Sequence, residues 1–303
     1  MYKPTEIPLV SIVITCYNDG QYLPDALKSV ESCSFENLEV IVVNDGSTDS
    51  ETLRILETIS AKYRVLTQKN LGASSARNAG IAKARGQYII PLDADNLICP
   101  SILTKGADIL NRNPEIGMVY GDKEVFGERS FLSRNRSVEM AYILYHHHID
   151  TCAIFRKEMW ADVGGYDIKL PFDSLEDWMF WLEALHRDWQ FQYVDQVFFL
   201  YRYRSGSKSR RTQKNPVSKL ILTEYFYQKK EIFLAKAEGN GLVLSTQAQE
   251  LRVKWTWVLA CRYLILGNPK VALAYIRKSA GAGGTILRSF AIWISFAFNQ
   301  IKP

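Results

Sequence analysis

The chain has 303 residues, 47% of them hydrophobic and 23% charged, with a net charge of +5. This is an ordinary soluble composition with room for one large or two modest domains, and the mild charge, with basic residues gathered in the last third, argues against a nucleic-acid protein. The five cysteines (Cys16, Cys33, Cys99, Cys152, Cys261) are odd in number and form no C-x-x-C pair. That argues against a disulfide framework and a structural zinc site, and it points to buried thiols in a reducing cytosol.

The chain's first apolar run, Leu9 to Thr15, is too short for a signal-peptide core or a bilayer span, and it is expected to be a buried strand. No window reaches about 18 uninterrupted apolar residues, so no transmembrane helix is expected. Further strands are expected at Leu38 to Val43, Arg64 to Thr67, Tyr88 to Leu92 and Gly117 to Tyr120. Between them, apolar spacing of i, i+3 and i+4 predicts helices over Tyr22 to Cys33, Thr48 to Lys62, Ser74 to Arg85 and Pro100 to Asn111. Alternation of this kind implies right-handed crossovers and a parallel sheet covered on both faces, with ligands bound beyond the carboxyl ends of the strands.

The unusual loops fall at that end. Strand one exits into Cys16-Tyr17-Asn18-Asp19-Gly20, strand two into Asn44-Asp45-Gly46-Ser47-Thr48-Asp49, and strand four into Asp93-Ala94-Asp95-Asn96. Two carboxylates two positions apart at a strand exit are costly unless a cation sits between them, and a hard divalent ion takes such oxygen ligands together with phosphate. Ser47 or Thr48 is expected to cap the next helix, with Asp49 as a favourable acid in its first turn; Asp45 caps nothing evident. After strand three, Gly72 breaks the chain before a small-residue helix bearing Arg77 and Asn78. Small side chains permit close packing on the sheet, and an arginine near a helix start can face either solvent or an acidic, phosphate-sized hole.

Residues 126–190 are expected to be irregular and aromatic-rich. His146, His147 and His148 are consecutive, and adjacent side chains do not point together, so they read as a loop or pocket edge rather than a metal cage. Gly164-Gly165 should cap a helix, and Glu176-Asp177 should open another, either complementing its dipole or supplying a general base. From Phe198 a strand leads into the basic, apolar-free stretch 205–216, expected to be a loop. Helices follow at Val217 to Glu238, Thr246 to Leu266 and Lys270 to Ser279. The segment Thr285 to Ile301 is apolar on most sides, which suits a helix buried in its own protein or one lying in a membrane interface.

Taken in order, VSIVITCYND, EVIVVNDGSTD, NLGASSARNAGI, YIIPLDADN, VGGYD, LEDW and YRYRSGSKS resemble the motifs of the inverting family 2 glycosyltransferases across residues 9 to about 209. The resemblance implies an α/β GT-A fold: a Rossmann-like, mostly parallel central sheet with helices on both faces. The nucleotide-binding part would span about 9–125 and the acceptor part about 126–210, followed by a C-terminal helical region over 217–303. It also implies a nucleotide-diphospho-sugar donor, a UDP-sugar by expectation, and a divalent cation, Mg²⁺ or Mn²⁺. The acceptor would be a glycan, lipid-linked or protein hydroxyl in cell-surface polysaccharide or glycoconjugate assembly, at a cytoplasmic location with peripheral membrane contact through residues 285–301. By similarity, Tyr17, Asn18 and Asp45 border the base and ribose, Arg77 lies near the nucleotide, and Asp93 touches the ribose. Asp95 holds the metal on the diphosphate, and Asp177 is the base.

One departure stands out. The family often shows Tyr-Arg-x-His, its histidine a metal ligand, where this chain has Tyr201-Arg202-Tyr203-Arg204. An always-charged arginine cannot ligate a metal, so Arg204 is expected to pair with the diphosphate and to make the dependence on Mn²⁺ or Mg²⁺ shallow. Two alternatives remain. A nucleotidyltransferase would prefer a Gly-rich phosphate loop with Lys or Arg, which Cys16 to Gly20 lacks; a non-catalytic sugar-nucleotide binder would not need both Asp95 and Asp177.

Overall fold

The computed structural model describes residues 9–135, 143, 147–170, 175–204, 207, 216–239 and 246–281, and it divides into two compact units. The first comprises residues 1–137 and 148–209, the second 138–147 and 210–303. The expected segment Thr285 to Ile301 and most of the expected loop at 205–216 lie outside the described residues.

The first unit is built on one nine-stranded sheet. Strands β1 (Val10–Cys16), β2 (Leu38–Asn44), β3 (Arg64–Thr67) and β4 (Tyr88–Asp93) lie in the order β3-β2-β1-β4, all parallel. Their crossovers are α1 (Leu23–Glu31), α2 (Ser50–Ser60) and α3 (Ala73–Lys83). Val10, Ile12, Val13 and Ile14 are all fully buried, as in a strand covered on both faces, and Ser11 among them is buried with its hydroxyl donating to Glu39. This half is the parallel sheet that the alternation predicts.

Beyond β4 the sheet becomes mixed. Strands β5 (Leu97–Ile98), β6 (Ile116–Gly127), β7 (Phe131–Ser133), β8 (Ile154–Arg156) and β9 (Gln190–Tyr203) continue it: β8 runs antiparallel to both β4 and β6, and β9 parallel to β6. Helix α4 (Ala107–Arg112) follows a π-turn at Ile102–Gly106, where the regular helix expected from Pro100 is interrupted. Gly106 packs there against Ile154, whose Cγ2 would stand 2.3 Å from any added Cβ. Helices α5 (Lys157–Val163) and α6 (Glu176–His186) complete the unit, so the expected irregularity of 126–190 gives way in part to regular elements.

Capping differs from expectation at α2. Asp49 is itself the N-cap, its Oδ1 accepting from Thr52 N at 2.8 Å, while Ser47 and Thr48 bond to Asn18. Gly164, left-handed at φ 87°, caps α5 as expected. The second unit contains α7 (Pro216–Gly239), α8 (Thr246–Ile265) and α9 (Pro269–Gly281), close to the expected bounds. Leu220, Tyr227 and Leu259 form a core there with Trp255, Tyr263 and Tyr275 against it. No described helix is long and apolar enough to cross a membrane.

Candidate active site

The exits of β1, β2 and β4 are laced together by backbone. Asp45 N donates to Cys16 O at 2.9 Å and Ala94 N to Thr15 O at 3.1 Å, so the three loops have fixed offsets. Asn18 takes a left-handed φ of 54°, a conformation asparagine tolerates. Its Oδ1 accepts from Thr48 N (2.7 Å) and Asp49 N (3.2 Å), which ties the first loop to the second. Asp45 is buried and fully engaged: Oδ1 accepts from Gln68 Nε2 and Leu71 N, and Oδ2 from Gly72 N, all within 2.9 Å. It anchors the chain at the start of α3, the position its sequence left without a partner. Tyr17 stays exposed beside these loops.

Arg77, one turn into α3, is almost wholly buried, because Ala76, Gly80 and Ile81 around it pack closely on the sheet. Gly80 makes this approach possible: an added Cβ would stand 2.3 Å from Val13 Cγ1. A buried guanidinium is sustained only by paired anions. Arg77 has two: Nη2 meets Asp93 Oδ1 at 2.8 Å and Nη1 meets Glu176 Oε1 at 2.5 Å, and the Tyr166 ring lies 5.6 Å away. Burial works against the cation, yet the Asp93 and Glu176 charges hold it firmly protonated. Arg77 thus links the exit of β4 to the first turn of α6.

Asp177 is the next residue of that turn. It is buried, and its Oδ1 accepts from Trp178 N at 2.7 Å. The turn is aimed by Leu175, which caps α6 in the left-handed region at φ 68°, a strained conformation for a branched side chain.

Arg204 lies on the other side of the β4 exit. It grips Asp19 with both Nη atoms, at 2.8 and 2.9 Å, and its Nη2 also meets Asp95 Oδ2 at 2.7 Å. Arg202, two residues earlier, donates to the carbonyl of Asp95 and lies over the Tyr22 and Phe126 rings. Burial, with the Asp93 and Asp19 charges, pushes the Asp95 carboxyl up to about 6, even though Arg204 draws it down. The pair is not contradictory: one guanidinium, itself held charged, is shared between two carboxylates with a third close by.

Four carboxylates (Asp19, Asp93, Asp95, Glu176) therefore contact two guanidiniums, leaving an excess of negative charge where a diphosphate is expected. Among the described residues no group of three or more His, Cys, Asp or Glu side chains could hold a metal unaided. The donor set fits a divalent ion that takes one carboxylate and completes its shell from water and phosphate, the usual manner of Mg²⁺. A cavity of about 330 Å³ lies elsewhere, at the opposite end of β4 beside Gly86 and Arg156.

Of the residues singled out in the sequence, the structure joins Arg77 to Asp93 and Arg204 to Asp95, and places Asp177 next to Arg77's second partner. Asn18 and Asp45 serve their loops through every hydrogen bond described for their side chains. Sequence reasoning missed Glu176 as the counter-ion of Arg77 and Asp19 as the partner of Arg204. The signal for the first was its place beside Asp177; for the second, an acid in a strand exit with nothing to cap.

Comparison with known proteins gives the fold and the family. The chain is 27% identical over 261 residues to an uncharacterised glycosyltransferase of Rickettsia conorii, covering 81% of this chain and 43% of that protein. It is 29% identical over 181 residues to the poly-beta-1,6-N-acetyl-D-glucosamine synthase of Staphylococcus epidermidis, covering 55% and 44%. The chain thus spans less than half the length of these curated relatives. Among solved structures it resembles S. aureus TarS 1-349 in complex with UDP-GlcNAc, with TM-score 0.61, 17% identity, and coverage of 96% and 92%. It also resembles the mannosyltransferase PcManGT of Pyrobaculum calidifontis in complex with GDP-Man and Mn²⁺, with TM-score 0.55, 19% identity, and coverage of 99% and 83%. These likenesses show the fold as GT-A, and the match of residues 11–164 to the family described as Glycosyl transferase family 2 places this chain within it.

Proposed function

We propose that the chain transfers a sugar, with inversion, from a nucleoside-diphosphate sugar to an acceptor hydroxyl. The observation that carries this reading is the pair of linked clusters at the β4 exit: Asp95 and Arg204 on one side, and Arg77 joining Asp93 to the turn that bears Asp177 on the other. Tyr17, Asn18 and Asp45 would border the base and ribose from the neighbouring loops, with Asp93 toward the ribose.

In the proposed reaction Asp177 takes the proton of the acceptor hydroxyl as its oxygen attacks the anomeric carbon. The bond from that carbon to the diphosphate breaks on the opposite face, and its electron pair leaves with the phosphate. Arg204 opposes the charge that develops there. Asp95 would hold a divalent ion, Mg²⁺ or Mn²⁺, which when bound offsets further charge on the diphosphate. No second catalytic carboxylate is required, since a diphosphate leaves without being protonated. The UDP-GlcNAc bound by TarS supports a UDP-sugar donor, and the poly-N-acetylglucosamine synthase relative supports a role in surface polysaccharide assembly on a glycan, lipid-linked or protein acceptor. Such a role fits a cytoplasmic enzyme in peripheral contact with the membrane.

Asp177→Asn provides the test. Transfer, followed as nucleotide release in the presence of acceptor, should fall by a factor of ~10² or more, while donor affinity by calorimetry stays within about twofold. Transfer that survives the substitution removes Asp177 from the role of base.

A further inference from the structure

Lys123 lies in β6, beside β9, the strand that carries Arg202. Its Nζ meets Asp150 Oδ2 at 2.8 Å and lies 5.0 Å from the centre of the Tyr201 ring. Both partners of the pair are largely but not fully covered, their side chains 25% and 15% exposed. The register explains the meeting: Lys123 pairs with Phe199 and Val125 with Tyr201 across β6 and β9, so Lys123 and Tyr201 lie on one face of the sheet.

The surroundings tie this group to both ends of the reaction site. The charges of Asp150, Asp93 and Asp95 all act on the Tyr201 hydroxyl, and that of Asp177 acts on Lys123. Geometry agrees: Tyr201 lies between Leu200, which pairs with Leu97 just past the β4 exit, and Arg202, whose N donates to Asn96 Oδ1, so Lys123 and Tyr201 adjoin the exit that bears Asp93 and Asp95, where the proposed reading puts the donor. Lys123 is otherwise hard to explain. A buried lysine on a strand costs desolvation energy, and an apolar residue would fill the position at less cost. Among the described residues Lys123 Nζ bonds to Asp150 alone, although an ammonium has three donors; Asp150 likewise has a second oxygen, Oδ1, outside that bond.

We infer that Lys123 and Asp150 read the hydroxyls of the donor's sugar ring and set which sugar is transferred. A sugar hydroxyl both donates and accepts, so adjacent hydroxyls are matched by an ammonium and a carboxylate held side by side. The Tyr201 face can take the apolar C–H side of the ring. This rests on the proposed nucleotide-sugar reading of the same site.

The experiment uses the full chain and the ligands UDP, UDP-glucose, UDP-N-acetylglucosamine and GDP-mannose, titrated by calorimetry. The variant is the pair Lys123→Gln with Asp150→Asn, which leaves no unpaired charge; Asp150→Asn alone is the second variant should the pair fail to fold. Wild type should bind one sugar nucleotide at least tenfold tighter than the others. The variant should lose that preference while its affinity for the free nucleoside diphosphate stays within twofold and its melting temperature is little changed. A variant that keeps the wild-type sugar preference overturns the inference and leaves the site reading standing. Equal loss of affinity for nucleotide and sugar nucleotide also overturns it, since a purely structural role predicts that. Wild type that binds none of the four ligands overturns the site reading and the inference together.

Discussion

Arg77→Met removes the cation that Asp93 and Glu176 share while keeping most of the side chain's apolar stem. With charge centres about 4 Å apart and an effective dielectric near 20, each pair supplies ~4 kcal/mol of attraction. Desolvation of the guanidinium offsets most of that gain in the native protein, but the variant leaves its carboxylates facing one another with no cation, and breaking such a buried pair costs about 3–5 kcal/mol. Glu176 is 12% exposed and carries its share in full; Asp93 is 35% exposed, so water screens part of its loss. The expected destabilisation is ~3 kcal/mol, read from the urea midpoint by tryptophan fluorescence, since Trp178 and Trp181 sit in α6. Glu176→Gln alone should cost about 1–3 kcal/mol for its lost charge-assisted bond. The double variant has no stranded glutamate charge, so its loss should fall short of the sum of the singles by ~2 kcal/mol. Additivity of the two within ~0.5 kcal/mol would refute the claim that Arg77 is held in place by Glu176.

Three further outcomes are expected. The folded pKa of Asp95, about 6, lies above its ordinary 3.8, so the fold retains a proton that the unfolded chain has lost between those values. Its contribution to stability is full below about pH 4 and is lost as pH rises through 6, by up to ~3 kcal/mol; Asp95→Asn should flatten that part of a melting temperature against pH profile. Gly80→Ala drives a methyl to 2.3 Å from Val13 Cγ1 and 2.9 Å from Val43 Cγ2, and should cost about 1–3 kcal/mol by thermal denaturation. A wild-type melting temperature in that variant would mean that α3 can lift from the sheet without penalty. Finally, removal of divalent ions by EDTA should weaken donor binding by less than ~10-fold in wild type and by more in Arg204→Ala, where neither cation remains. An abrupt loss on chelation that is the same in both proteins is the contrary result.

The parallel half of the sheet was legible because β1, β2 and β4, covered on both faces, are mostly apolar runs, and each ended in a visible turn. The strand β6 was only partly legible. Its apolar stretch stops at Tyr120, yet the strand runs on to Gly127 because it pairs with both β7 and β9, while Asp122 accepts from Tyr193 Oη and Lys123 meets Asp150. Short strands such as β8 carry too few residues for a period to emerge, and they exist by pairing with neighbours remote in sequence. At the site, residue types announced themselves but partnerships did not. Arg77 could equally face solvent on spacing alone, and only the packing of α3 on Val13 and Val43 turns it inward. Glu176 looked like dipole complementarity, whereas the fold employs it as a counter-ion. Ion pairs between residues up to 185 positions apart leave no local trace.

The pairing of β9 with β6 slips three times, between Ile116 and Met118, between Tyr120 and Asp122 and between Asp122 and Lys123, before it settles into even step from Phe199 to Tyr203. Upstream of those irregularities, the strand can absorb the gain or loss of a residue by changing the shape of a bulge. Downstream there is no such slack: with a period of two, one inserted residue would put tyrosines where Arg202 and Arg204 now stand and turn both arginines to the face that carries Lys123. Drift in chain length among relatives should therefore gather before Phe199 and be absent between it and Arg204. Over those six positions only substitutions remain open, so the choice between a histidine and an arginine at the last of them is made by changing one side chain, never by moving the strand.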